Sequence, residues 1–213
     1  MSSGAVPAAA QRPAPEGAGR REANKAANRA TILESGRRVF TDIGYGAASV
    51  RDIVRPTGLA TGTFYNYFPD KESVFRELVE EIVAEARGRV RAARQEAADP
   101  VSFIAGAFHA YFSYVSEEPE TAAFMRRNVG TIRSYFDDPA IGAGVSELQE
   151  DLDAAVEKGL LPEHETRLMA PMMIGAGLEI GFRILDDPGL NADDAVAFLR
   201  DVYLGAYGRL AAS

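Results

Sequence analysis

The chain of 213 residues contains no cysteine. Disulfides and thiolate metal sites are therefore excluded. Only two histidines occur, His109 and His164, far apart in the sequence, so a histidine metal cluster is not expected and no metal is assigned. No unbroken apolar run reaches about 18 residues, so a membrane span is not expected. The N-terminus lacks a charged region followed by a hydrophobic stretch, the pattern of a signal peptide, and a cytoplasmic location is expected. No segment alternates with period two over a useful length, so no sheet is expected. No repeat of about 20–50 residues is present. A nucleophile–base pair, convincingly placed catalytic carboxylates and a phosphate loop are all missing. The chain is therefore not expected to be an enzyme, and no cofactor is expected.

What is there is a chain that is 46% hydrophobic, enough to bury a sizeable core. The net charge of −8 is unevenly placed. Residues 1–76 hold 11 Lys and Arg against 7 Asp and Glu, a balance of +4, and the remainder carries −12. Such asymmetry suits a basic module that meets an anion, nucleic acid above all, joined to an acidic body that does not. Solvated faces of uneven sign are the plainer alternative.

Residues 1–22 are rich in Ala, Pro, Gly and Arg without periodicity and read as a disordered tail. Arg12, Arg20 and Arg21 would let it follow phosphates or enter a minor groove; a solubilising leader is the simpler reading. From Asn24 to Ile43, Ile32, Val39 and Phe40 with small Ala26, Ala27 and Gly36 form a helical stripe, ended by Gly44 and Gly46. Ser49 and Asp52 make a capping-box pattern, so a second helix begins at Val50. Pro56 cuts it short and Gly58 supplies a turn. A third helix covers Thr61–Phe68. Pro69 ends it, and Asp70 caps a fourth helix from Lys71 to about Glu96. Further helices are expected near 101–116, 119–133, 138–158, 164–186 and 192–211, so the chain is all-α.

The second and third helices, joined by "RPTGLA", make a helix-turn-helix. In that motif the second helix of the pair enters the major groove. Within "TGTFYNYFPDKE" (residues 61–72), Phe64 and Phe68 stand four apart and face inward with Leu59 toward Ile53. Thr61, Gly62, Tyr65 and Asn66 face the other way. Gly62 costs a helix about 1 kcal/mol against Ala, which close approach of backbone to a ligand would justify.

The stretch "RATILESGRRVF…GYGAASVRDIVRPTGLATGTFYNYFPDKESVF" resembles the N-terminal domain of TetR-type transcriptional regulators over residues 25–80. The core of the match is G-x-x-x-G-T-F-Y-N-Y-F-P-D-K-E. The resemblance implies a DNA-binding domain over 23–70 and a helical effector-binding and dimerisation domain over 71–213. It implies base contacts from Arg51, Thr61 and Gly62. Phosphate contacts would come from Ser49, Val50, Tyr65, Asn66, Tyr67 and Lys71. Arg51 would take guanine in bidentate fashion, worth about 1–3 kcal/mol of discrimination. The chain departs from the family at Val54, Pro56 and Ala60. Pro56 should shorten the second helix or reshape the turn, and Ala60 deprives the third helix of a side-chain cap. The implied function is a ligand-responsive regulator, a repressor of a palindromic DNA operator that answers to a small-molecule effector. A helical protein–protein adaptor without DNA binding is the alternative, and a small all-helical enzyme a more remote one.

In the acidic body, "VSFIAGAFHAYFSYV" is dense in rings. Phe108, His109 and Phe112, with Phe124 and Met125 from the next helix, are candidates to line an effector pocket; an ordinary bundle core is the alternative. Gly177 and Gly181 stand four apart and admit a close helix. Phe198, Val202 and Gly205 form a matching stripe. Together they suggest the seam of a homodimer built as a four-helix bundle, with an intramolecular core as the alternative.

Overall fold

The computed structural model describes residues 16–135 and 139–210. Among these, every regular element is helical. The elements are α1 (Glu16–Ile43), α2 (Val50–Val54), α3 (Thr61–Phe64), α4 (Lys71–Gln95), α5 (Pro100–Glu117), α6 (Pro119–Arg133), α7 (Pro139–Glu157), α8 (Thr166–Asp186) and α9 (Ala192–Leu210).

The starts of the helices follow from capping chemistry. Ser49 and Asp52 form the reciprocal box at α2, and Asp70 accepts from the Ser73 amide at α4. Asp99 and Ser102 repeat the box at α5, with Pro100 in its first turn. Gly44 ends α1 in the left-handed region at φ 80°, where a side chain would be strained.

Two expectations change, and a third gains a qualification. The expected disordered tail over 1–22 does not extend to residues 16–22, which are helical. Helix α1 takes in residues 16–22, where Glu16, Ala18, Arg20, Arg21 and Glu22 are good helix formers that need no apolar stripe; Arg12 lies outside the described residues. Helix α3 stops at Phe64 rather than Phe68. Asn66 and Tyr67 donate back to Thr63 and Phe64 at 3.1 and 2.9 Å, a tightened i→i+3 turn that leads to Pro69. Finally, α8 is long and apolar enough to cross a membrane by length and composition, with a mean hydropathy of 1.5. Arg167, Glu179 and Arg183 interrupt its apolar run. It packs against α5, α6 and α7 and buries Met169, Ala170, Met173, Gly177 and Gly181, which accounts for its composition.

Two cores result. The first gathers Ile32, Phe40, Ile53, Phe64, Phe68, Val74 and Phe75, then runs on to Phe124, Met125 and Ile132 of α6. The second joins α5 to α7, α8 and α9 through Ile104, Phe112, Leu152, Ala170 and Tyr203. Helix α4 belongs to the first core at its start and reaches α5 and α7 beyond it. Gly36 lets α1 lie against α4, because a Cβ there would stand 2.6 Å from the Val74 methyl.

Candidate nucleic-acid interface and ligand pocket

The helix-turn-helix is built as its sequence requires. A 3₁₀ turn, Arg55–Thr57, continues α2 and carries Pro56 at its start. Gly58 follows at φ 71°. Thr57 accepts from the Leu59 amide at 3.1 Å and donates to the Val54 carbonyl at 2.7 Å, which closes the turn. Ser35 of α1 donates to the Ile53 carbonyl at 2.6 Å and pins α2 from behind. At Ala60 the third helix has no side-chain cap, as the sequence implies.

Phe64 and Phe68 are buried. Arg51, Thr61, Gly62, Tyr65 and Asn66 are exposed. The Tyr65 ring stands edge-on to Phe64 at 5.4 Å and remains 55% exposed, the most exposed large ring of this module. A Cβ added at Gly62 would meet nothing within 4 Å. No packing inside the chain therefore demands glycine there, unlike Gly36.

The remaining phosphate-contact candidates have internal duties. Ser49 holds the cap: its hydroxyl and amide both donate to Asp52, at 2.5 and 3.0 Å. Those bonds hold the Asp52 carboxyl below its ordinary range. Val50 and Tyr67 pack in part against the first core, and the Tyr67 hydroxyl accepts from Asn28 at 3.2 Å. The Lys71 ammonium donates to the carbonyls of Tyr45 and Ala48 at 2.8 and 2.7 Å and sits 4.5 Å from the Tyr45 ring centre. That this lysine braces the α1–α2 loop was not legible from its neighbours in sequence.

A cavity of about 280 Å³ lies in the body. Its walls come from α4 (Val79, Ile82, Val83, Ala86), α5 (Ala107, Phe108, Tyr111), α6 (Met125, Ile132), α7 (Val145, Leu148) and α8 (Met173, Ile174, Leu178). Of the five sequence candidates, Phe108 and Met125 line it. Phe112 is wholly buried in the second core. Phe124 stacks on Phe75 at 5.4 Å in the first. His109 points outward with its side chain 60% exposed, 3.8 Å from Asp193. Phe112 and Phe124 miss the cavity because α5 and α6 each have several buried faces, and ring density does not say which one borders a void; His109 misses it because it lies on the solvent side of α5.

Charge enters the lining only in pairs. Arg87 pairs with Glu147, whose carboxyl that contact holds below its usual range. Arg94 is nearly buried and pairs with Asp151 at 2.7 Å. The Tyr111 ring edge joins the wall. Its hydroxyl is buried without a partner, and burial drives its pKa upward.

Two dimer-seam candidates are also corrected. Gly177 and Gly181 are buried against α5. A Cβ at Gly177 would stand 3.3 Å from the Phe108 ring, and one at Gly181 would stand 2.8 Å from Tyr111. Their small size serves packing within the chain. Phe198, Val202 and Gly205 do lie exposed on α9, and α8 adds Leu168 and Met172, which the sequence reading missed.

An exposed helix-turn-helix at one end and an apolar chamber at the other define a helical DNA-binding transcription regulator. Residues 32–78 match the family of bacterial regulatory proteins, tetR family. It is 28% identical over 208 residues to the HTH-type transcriptional regulator EthR of Mycolicibacterium smegmatis, covering 90% of this chain and 93% of that one. It is 40% identical over 57 residues to the HTH-type transcriptional repressor AcnR of Corynebacterium glutamicum, covering 27% and 30%. The fold is shared with the regulator FadR of Bacillus subtilis, solved in complex with stearoyl-CoA: TM-score 0.67, 20% identity, 81% of this chain and 95% of that one.

Proposed function

We propose that the chain is a cytoplasmic homodimeric repressor that leaves a palindromic operator when a small hydrophobic effector enters the α4–α8 cavity. The observation that carries this reading is α4 itself. Its first residue, Lys71, braces the helix-turn-helix, and Val79, Ile82, Val83 and Ala86 of the same helix form a wall of the cavity. A ligand that favours a different tilt of α4 would separate the two recognition elements from successive major grooves, which lie about 34 Å apart. A coupling of about 1–3 kcal/mol weakens the operator complex roughly 5–150-fold.

In this reading Arg51, Thr61 and Gly62 meet base edges. Tyr65 and Asn66 meet phosphates, as do the α2 start at Ser49 and Val50, Tyr67, and the third N–H of Lys71. The apolar walls suit an effector that is mostly hydrocarbon. FadR of Bacillus subtilis, bound to stearoyl-CoA, supplies a first probe. The exposed apolar residues Leu168, Met172, Phe198 and Val202 would pair with those of a second copy. Anisotropy titration of a labelled duplex from upstream of the chain's own gene, with and without stearoyl-CoA, tests the reading. Weaker binding with the probe supports it. Absence of duplex binding in both states would instead favour a helical adaptor.

A further inference from the structure

The backbone of Tyr45 is held at both of its polar groups. Its N–H donates to Asn128 Oδ1 at 2.7 Å. Its carbonyl accepts from Lys71 at 2.8 Å. Asn128 belongs to α6 and Lys71 to α4, the two cavity walls that reach the helix-turn-helix. The same asparagine amide donates to the carbonyls of Phe40, on the last turn of α1, and Phe124, at 2.9 and 2.8 Å. Asn128 is buried, with 3% exposure, and every polar atom of its side chain has a protein partner. Its backbone is non-helical, at φ −119° and ψ 15°, so α6 is broken into two parts at this residue. Asparagine favours such local side chain to backbone bonding over helix continuity.

The cavity lies on the other side of the same break. Met125, three residues before Asn128, and Ile132, four after it, both line it. Helix α6 therefore turns two lining side chains toward the chamber and one clamp toward the DNA-binding module.

We infer that Asn128 is a positioning residue for DNA binding: it joins the α6 wall of the cavity to the α1–α2 loop, and with Lys71 it sets where α2 and α3 stand. The inference rests on the proposed reading of the cavity, yet the joint itself can be tested without DNA or effector. Hydrogen exchange of the full chain is the measurement. In Asn128→Ala, amides of residues 44–48 are expected to exchange about tenfold faster or more, because the Tyr45 N–H loses its partner and the Phe40 carbonyl loses one of its two. Those of α9 should keep wild-type protection. Asn128→Asp retains the acceptor for the Tyr45 N–H and should restore part of the protection. Combining Asn128→Ala with Lys71→Met should cost less protection at residues 44–48 than the two single changes added, since both grip the backbone of one residue, Tyr45. The duplex affinity of Asn128→Ala should fall by a similar factor. Unchanged exchange at 44–48 would overturn the inference. So would a loss spread equally over α9 in both Asn128 variants, which would make Asn128 a residue of the general core. A wild-type chain that binds no duplex would sink the regulator reading and leave the exchange result to judge the joint alone.

Discussion

Tyr45 and Lys71 are joined twice: the ammonium donates to the Tyr45 carbonyl and lies 4.5 Å from the centre of its ring. Because Lys71 also holds Ala48, it closes the loop that presents α2. Lys71→Met removes both charge-assisted bonds and leaves two carbonyls to water or to nothing. Thermal unfolding should show a loss of about 1–3 kcal/mol. Duplex affinity should fall further than one lost phosphate contact explains. A variant as stable as wild type would mean the loop needs no brace.

Gly62 offers a test in which two quantities move in opposite directions. Nothing within 4 Å opposes a Cβ there. Gly62→Ala should leave the free protein unchanged or stabilise it by up to about 1 kcal/mol. The same substitution should weaken duplex binding if backbone approaches DNA at this point. Differential denaturation and anisotropy titration read the two effects separately.

Helices α8 and α9 divide in the same way. Gly181→Ala places a methyl 2.8 Å from the Tyr111 ring, and should destabilise by about 1–3 kcal/mol through overpacking. On an open helix face the same change would stabilise. Phe198→Asp, at a position 63% exposed, should leave the protomer folded and shift a dimer toward monomer in sedimentation velocity. An unchanged sedimentation coefficient would remove α9 from the interface.

The capping aspartates set the response to acid. Hydrogen bonds from Ser49, Ser73 and Ser102 hold Asp52, Asp70 and Asp99 below the ordinary carboxylate range. In the unfolded chain each returns to about 3.9. Groups depressed in the folded state contribute stability that is fully present above the unfolded value and is lost as pH falls through the folded one. The unfolding temperature should hold between about pH 7 and 5 and drop below about pH 4. Ser49→Ala should flatten part of that drop.

Helix starts and the helix-turn-helix were legible because their causes are local. Ser49 with Asp52, Asp70 before Lys71, and Gly58 after Pro56 each dictate geometry within a few residues. The inward faces of Phe64 and Phe68 followed from helical spacing. The cavity was not legible, because Phe108 and Phe112 read alike in sequence and only the packing of α7 and α8 decides which borders a void. Gly177 and Gly181 show the same limit. Small residues four apart announce a close helix without saying whether it is α5 of the same chain or a partner. Asn128 gave no signal at all, since its partners Phe40 and Tyr45 lie more than 80 residues away along the chain.

The central claim is that the basic, exposed face of an acidic chain binds duplex DNA. The most direct measurement is the affinity of the full chain for the duplex upstream of its own gene across a range of salt. The account predicts a linear fall of log affinity with log salt, by about 0.9 per phosphate contacted. It also predicts a weaker complex with the same slope when Tyr65 is replaced by Phe, which removes a hydroxyl but no charge. Binding that ignores salt, or no binding at any salt, would contradict it.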